Sequence, residues 1–310
     1  MSASFTKACI TGGAGFIGSA LARQLVDRDI DVYVLDNLST GKKENIPAGA
    51  KFFEGDILNP TDCEKAIRGC DVLFHMAARV AIRHSFGDVV EDTLCNVTGA
   101  ATVLRTAVRS GSVRKVISAS SMAVYADSAT SEPVPETHPT NPISPYGISK
   151  LALEQLTHRL TAASGLHSVV LRIFNAYGPG QRFSPYVGVI TIFANQLSAG
   201  QSPVIFGDGQ QMRDFVHVED VARAFVAAMD APITGETLNV GTGVPHTVQQ
   251  VYETIARELK SDLRPTYAPA APGELRYAVA CIDKARHKLS YEPRKTFEQS
   301  IPTVIGEMLA

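Results

Sequence analysis

Short runs of apolar, mostly β-branched residues recur through the first half of the chain, at 8–11, 31–35, 51–54, 72–76, 115–118 and 168–174, each followed by a segment of helical length. These runs predict strands. Their apolar positions do not alternate strictly with polar ones, so both faces of each strand should be covered, as in a parallel sheet with helices on either side. The intervening periodicity predicts helices over 16–28, 61–68, 89–110 and 146–164. After residue 175 the regularity loosens, and Pro- and Gly-rich loops at 177–180 and 206–209 alternate with short helices near 189–199, 220–229, 248–259 and 297–308. The expected fold class is α/β, a doubly wound parallel sheet over 1–174 with a smaller C-terminal α/β domain over 175–310. Segment 214–240 is expected to return to the first domain.

Composition narrows the class of function. The chain has 310 residues, enough for two ordinary domains or one large one. Its 29 Lys and Arg against 31 Asp and Glu leave a formal charge of -2, which offers no field for nucleic acid or an anionic membrane. With 45% apolar and 19% charged residues it reads as a compact enzyme or binding protein. No apolar run reaches the ~18–20 residues of a membrane span. Glycines 12, 13, 15 and 18 interrupt the only stretch that imitates a leader peptide. Cys9, Cys63, Cys70, Cys95 and Cys281 form no CxxC pair, so reduced core cysteines and a cytoplasmic setting are expected. The histidines show no ligand spacing, and no metal is expected.

The first strand runs into Thr11-Gly12-Gly13-Ala14-Gly15-Phe16-Ile17-Gly18. Glycines at 12, 15 and 18 suit a tight turn, close approach of a pyrophosphate and close helix packing, while the helix start adds backbone donors and a positive dipole end. Alone, such a motif is only a common turn. Its place between a strand and an amphipathic helix, with Asp36 ending the second strand, makes it a dinucleotide site. Asp36 can accept from both ribose hydroxyls and would repel a 2′-phosphate, favouring NAD over NADP. Lys42 and Lys43 argue the other way, unless they lie on a solvated loop. Asp56 and Ile57, ending the third strand, suit the adenine edge about as well as an ordinary turn.

Two distant features point to chemistry. Ser121 closes the strand that begins at 115, and Tyr146-Gly147-Ile148-Ser149-Lys150 opens a helix, which puts Tyr146 and Lys150 on one face. A tyrosine acting as a base near pH 7 must lose about three pKa units, roughly 4 kcal/mol. Lys150 and a cationic nicotinamide together can supply that. His75, within an apolar strand, reads as structural.

At these residues the sequence resembles the extended short-chain dehydrogenase/reductase family, a Rossmann family, and within it the NAD-dependent UDP-hexose 4-epimerases. The resemblance spans the chain and includes Leu35-Asp36-Asn37-Leu38-Ser39-Thr40-Gly41, His75-Met76-Ala77-Ala78, Asn96-Val97-Thr98-Gly99, Leu171-Arg172-Ile173-Phe174-Asn175, Tyr177-Gly178-Pro179-Gly180-Gln181 and Arg213-Asp214-Phe215-Val216-His217-Val218-Glu219-Asp220. It implies a bound NAD that oxidises a UDP-sugar at C4 and reduces it again from the other face. Tyr146 would move the O4 proton, Ser121 would hydrogen-bond O4, and Lys150 would hold the nicotinamide ribose and lower the tyrosine pKa. NAD would lie against Gly12, Gly15, Phe16, Ile17, Gly18, Asp36, Asn37, Ser39, Thr40, Gly41, Asp56, Ile57, Ala77, Ala78, Asn96, Phe174, Tyr146 and Lys150. The substrate would meet Ser121, Tyr146, Val189, Asn175 and Arg213, with Val204 and Phe206 at the uracil.

Departures from the family pattern bear on the substrate. Ala271 stands where many members carry an arginine, leaving Arg276 as the candidate phosphate ligand, and Ala126 replaces a usual glycine. Ala278 occupies the place of a bulky tyrosine, leaving room for an N-acetyl group on C2. A 4,6-dehydratase would need Asp-Glu after Ser121, where this chain has Met122 and Ala123. A UDP-glucuronate 4-epimerase or decarboxylase stays open, with Arg83, His84 and Arg182 as available cations. An NAD-sensing regulator would be expected to lack Tyr146 or Lys150. The resemblance also implies a homodimer formed by helices 89–110 and 146–164.

Overall fold

The computed structural model describes residues 5–80, 82, 84–181, 188–270 and 275–309. Arg83, Arg182, Ala271 and the side chain of His84 lie outside the described residues. The strands are β1 (Lys7–Thr11), β2 (Asp31–Asp36), β3 (Lys51–Glu54), β4 (Val72–His75), β5 (Lys115–Ser121), β6 (His167–Ile173), β7 (Asn175–Tyr177), β8 (Val204–Phe206), β9 (Met212–His217), β10 (Glu236–Val240), β11 (Pro245–Thr247), β12 (Thr266–Ala268) and β13 (Tyr277–Ala278). Between them lie α1 (Phe16–Val26), α2 (Pro60–Ile67), α3 (Val89–Thr93), α4 (Ala100–Ser110), α5 (Pro145–Ser164), α6 (Val189–Ser198), α7 (Val218–Asp230), α8 (Val248–Glu258), α9 (Asp283–Leu289) and α10 (Phe297–Leu309).

Among the described residues, seven strands form one parallel sheet in the order β10-β6-β5-β4-β1-β2-β3. This is the doubly wound Rossmann arrangement. Neighbouring residues of one strand enter different cores, which explains the unbroken apolar runs. Ala8 and Ile10 pack with Leu21 and Leu25 of α1 and with Val221 and Phe225 of α7. Cys9 packs with Leu35, Leu73, Cys63, Ile67, Val103 and Leu104 on the other side. Each fully buried leucine or isoleucine contributes about 1.5–3 kcal/mol, so both layers are held firmly to the sheet.

The chain reverses direction across the sheet between β1 and β4. In such sheets the crevice at that switch, beyond the carboxyl ends of the strands, is where a ligand binds. Thr11 and His75 stand there as register partners, and Ser121 ends β5 two strands away.

Two expectations need correction. The helix expected over 89–110 is α3, then a π-helical turn at Leu94–Gly99, then α4. Asn96 anchors that wider turn, its side chain binding both the N–H and the C=O of Arg79 at 2.8 and 3.0 Å. The second half, expected as an α/β domain in which only helices and loops were located, carries β7 to β13, of which β10 joins the main sheet. β7, β9, β11 and β13 form a small sheet, and β8 pairs with β12. These strands mostly span two to six residues, too short for periodicity to reveal, and distant partners fix them.

Candidate active site

The glycine turn is closed by contacts that leave no room for a side chain. A Cβ on Gly18 would lie 2.1 Å from the Gly12 carbonyl oxygen, and one on Gly12, whose φ is +73°, would lie 2.6 Å from the Ala77 nitrogen. The turn therefore presses the start of α1 against the ends of β1 and β4. Phe16 and Ile17, half-buried, form the first turn of α1, whose leading N–H groups have no partner within the helix. This cradle fits a pyrophosphate.

Asp36 is buried at the tip of β2 and orders both flanking loops. One carboxylate oxygen accepts the Ala14 N–H at 3.0 Å and the other the Leu38 N–H at 2.8 Å. Each oxygen keeps acceptor capacity for a ribose hydroxyl. Asn37, Ser39 and Thr40 lie exposed on the rim, and Gly41 packs against Ala14. Asn37 Nδ2 donates to Asp56 at 2.9 Å, and the adjoining Ile57 is buried against Gly99. Lys42 pairs with Glu44 at 3.0 Å, and Lys43 lies over the Phe52 ring. Neither lysine is held toward Asp36 by these contacts.

The chemical end is assembled by β5 and α5. Ser144 caps α5 by accepting the Gly147 N–H at 3.1 Å, and Pro145 occupies the first helical position. Gly147 lets this helix start touch the turn after β5, because a Cβ there would sit 2.2 Å from the Ala123 oxygen. That approach brings Tyr146 beside Ser121, near enough for the hydroxyl to act on the phenol. Ser121 Oγ also accepts the Ala123 N–H at 3.2 Å. Lys150, one turn along, places Nζ 5.9 Å from the Tyr146 ring centre and donates to the Ala119 oxygen at 3.0 Å.

Burial sets the electrostatics. Tyr146 is 4% exposed, and desolvation pushes its pKa well above the ordinary value of 10, opposed by the Ser121 hydroxyl and reinforced by the Asp92 charge. Desolvation lowers Lys150 to about 8, against the raising influence of Cys95, Asp92 and Glu154. His75, buried and bonded through Nδ1 to Thr11 Oγ1 at 2.8 Å, is pushed down to about 3, first by burial and then by Lys150. It is a neutral structural group.

The remaining residues divide by position. Ala77 donates its N–H to Thr11 Oγ1 at 3.3 Å, and Ala78 follows, both half-buried at the crevice. Phe174 is buried beyond β6. Asn96 is buried as well, its amide engaged by Arg79, Asp92 and Ser149. Asn175 donates to the Asp214 oxygen at 3.1 Å, and Arg213, nearly buried in β9, donates to the Met212 oxygen at 2.9 Å. Val204 and Phe206 share one face of β8 while Ile205 is buried on the other. Val189 begins α6. Arg276 forms a two-point ion pair with Asp208 at 2.7 and 2.9 Å, so binding a phosphate would require it to exchange that partner. Ala278 is buried in β13 opposite Arg213.

Three participants were not singled out from sequence. Ser85, buried, accepts the Tyr146 N–H at 3.2 Å, Ser149 donates to the Tyr146 oxygen at 2.9 Å, and Asp92 lies buried beside them. The spacing of Asp92 and Asn96, one helical turn apart, was the available signal for the last.

The family model of the NAD dependent epimerase/dehydratase family matches residues 8–241. The chain belongs to this family. It is 34% identical to the UDP-glucose 4-epimerase of Thermotoga maritima solved with UDP-glucose, with a TM-score of 0.93 over 97% of this chain and 98% of that one. The UDP-glucose 4-epimerase of Thermus thermophilus, solved with NAD, is also 34% identical, with a TM-score of 0.91 over 98% and 99%. The UDP-N-acetylglucosamine 4-epimerase of Methanobrevibacter ruminantium, solved with UDP-N-acetylmuramic acid, is 31% identical, with a TM-score of 0.92 over 99% of each chain. For a member of the NAD-dependent epimerase/dehydratase family, the glycine cradle and Asp36 are the groups that fit the cofactor.

Proposed function

We propose that this family member epimerises a UDP-hexose at C4 by transient oxidation, with NAD held in the glycine cradle. The observation that carries the reading is the buried Tyr146 beside Ser121 at the end of β5, with Lys150 one helical turn away. Tyr146 takes the O4 proton as the carbon is oxidised and returns it as the carbon is reduced. Ser121, already accepting the Ala123 N–H, keeps its own O–H to donate toward the reacting oxygen. Burial pushes the tyrosine pKa up, so its basic form needs neighbouring positive charge. Lys150 supplies one such charge. NAD, when bound, supplies the two-electron acceptor and donor for C4 and, in its oxidised form, a second positive charge.

Met122 and Ala123 follow Ser121 as buried side chains with no ionisable group, which favours epimerisation over water elimination. Similarity to epimerases of UDP-glucose and UDP-N-acetylglucosamine supports a uridine nucleotide. Asn175 and Arg213 would hold its diphosphate, Val204 and Phe206 its uracil, and the small Ala278 would admit an N-acetyl group. Self-association through α4 and α5 belongs to the same reading, and sedimentation equilibrium reads it directly. The test of the reaction is incubation with UDP-glucose, UDP-N-acetylglucosamine, UDP-glucuronate and dTDP-glucose without added coenzyme, followed by proton NMR. Conversion of UDP-glucose and UDP-N-acetylglucosamine to their C4 epimers is expected; net reduction or loss of water would overturn the proposal.

A further inference from the structure

A helix laid on a parallel sheet ordinarily buries an apolar stripe, as α7 does with Val221, Ala222, Phe225 and Met229. The inner stripe of α5 is different. Leu153 is the one large aliphatic residue among its buried positions, and Lys150, Glu154, Thr157 and Thr161 follow the helical spacing that would otherwise be apolar.

Along this stripe hydrogen bonds take the place of apolar contact. The hydroxyls of Ser118 and Thr157 share one at 3.0 Å, Lys150 Nζ donates to the Ala119 oxygen at 3.0 Å, and Ser120 Oγ donates to Glu154 Oε1 at 2.5 Å. Three consecutive residues of β5 are thus bound to α5, and the next residue is Ser121. The Ser120 rung is the most firmly held of the three. Its register partner on β6 is Arg172, which donates Nε to Glu154 Oε1 at 2.9 Å and Nη2 to Oε2 at 2.7 Å. The same guanidinium lies 4.7 Å over the ring of Tyr125, in the segment that follows Ser121. Glu154 therefore grips β5 and β6 at one level, a single residue below Ser121.

Apolar contact has no preferred direction and tolerates small slips of a helix, whereas a hydrogen bond holds only near one geometry. A buried ion pair adds little stability over apolar packing, and its best-attested use is to fix register. We propose that Ser120 is a positioning residue of the reaction: bound to Glu154, it fixes the register of α5 on β5 that holds Tyr146 beside Ser121. The inference rests on the C4-epimerase reading of this site. Displacing reacting groups by about 1 Å can cost about 10²-fold in rate, so the loss of this rung is read in kcat. Asn175, Arg213, Val204 and Phe206, which would meet the nucleotide, lie outside both α5 and β5, so KM should hardly change.

The test measures kcat and KM for UDP-glucose, and stability to urea, in holoenzyme carrying Ser120→Ala. A second variant, Glu154→Leu with Arg172→Met, removes the acceptor and its cation together and leaves no charge buried alone. Both should lower kcat by about tenfold or more with KM within about twofold of wild type and NAD still bound. An unchanged kcat in either folded variant, with or without a fall in urea stability, would overturn the proposal, since the rung would then be structural only. Failure of both variants to fold would overturn it as well, because the rung would be a folding element. Wild-type protein that turns over no UDP-hexose would instead reject the underlying reaction.

Discussion

Replacing Lys150 by methionine removes a buried charge while keeping a chain of similar length. Lys150 is 3% exposed, and burial brings its pKa from 10.5 to about 8. At about 1.4 kcal/mol per pH unit, holding the ammonium inside costs about 3 kcal/mol at pH 7. The folded-state value lies below the unfolded one, so between about pH 8 and 10.5 the folded protein binds fewer protons at this group and its stability rises with pH. The methionine variant escapes the cost below pH 8 but loses the hydrogen bond to Ala119, worth about 1 kcal/mol. It should therefore be about 2 kcal/mol more stable than wild type at pH 7, and about 1 kcal/mol less stable above pH 10.5, while losing epimerase activity. Urea unfolding of both proteins, stripped of NAD, at pH 7 and near pH 10.5 measures the difference. Lys115, whose pKa also falls to about 8 by burial, is common to both and cancels. A variant less stable than wild type at both pH values would refute the reasoning.

Two further outcomes follow from the binding residues. Asp36→Ser should abolish the preference for NAD over NADP, since a carboxylate and a phosphate charge about 4 Å apart repel by about 4 kcal/mol at an effective dielectric of about 20; NAD affinity should fall as well, because the Ala14 and Leu38 N–H groups lose their acceptor. Calorimetry with both coenzymes reads this, and an unchanged NAD/NADP ratio would contradict it. Ala278→Tyr should lower turnover of UDP-N-acetylglucosamine at least tenfold more than that of UDP-glucose; equal losses by coupled assay would show that this position does not read the C2 substituent.

The parts of the site legible in sequence are those held by local geometry. Gly12 and Gly18 declare themselves because a turn between a strand and a helix tolerates no Cβ there, Gly15 because it leaves little room for one, and Tyr146 and Lys150 because a helix puts them on one face. The main sheet was readable for the same reason, each strand being a compact apolar run. Asp92 was not, because a carboxylate on a polar helix looks solvated until tertiary packing buries it against Asn96. Nor was the weight of burial on Tyr146, whose pKa is pushed up by desolvation that only tertiary packing creates. The short strands outside the main sheet, β7, β8, β9, β11, β12 and β13, escaped because their pairing is set by residues far along the chain.

The most direct test of the account is turnover of UDP-glucose by Tyr146→Phe, measured by proton NMR beside wild type with bound NAD verified in both. Loss of the phenol should lower kcat by about 10²–10⁴ with the nucleotide still bound. Undiminished conversion to UDP-galactose would show that the O4 proton is handled by some other group.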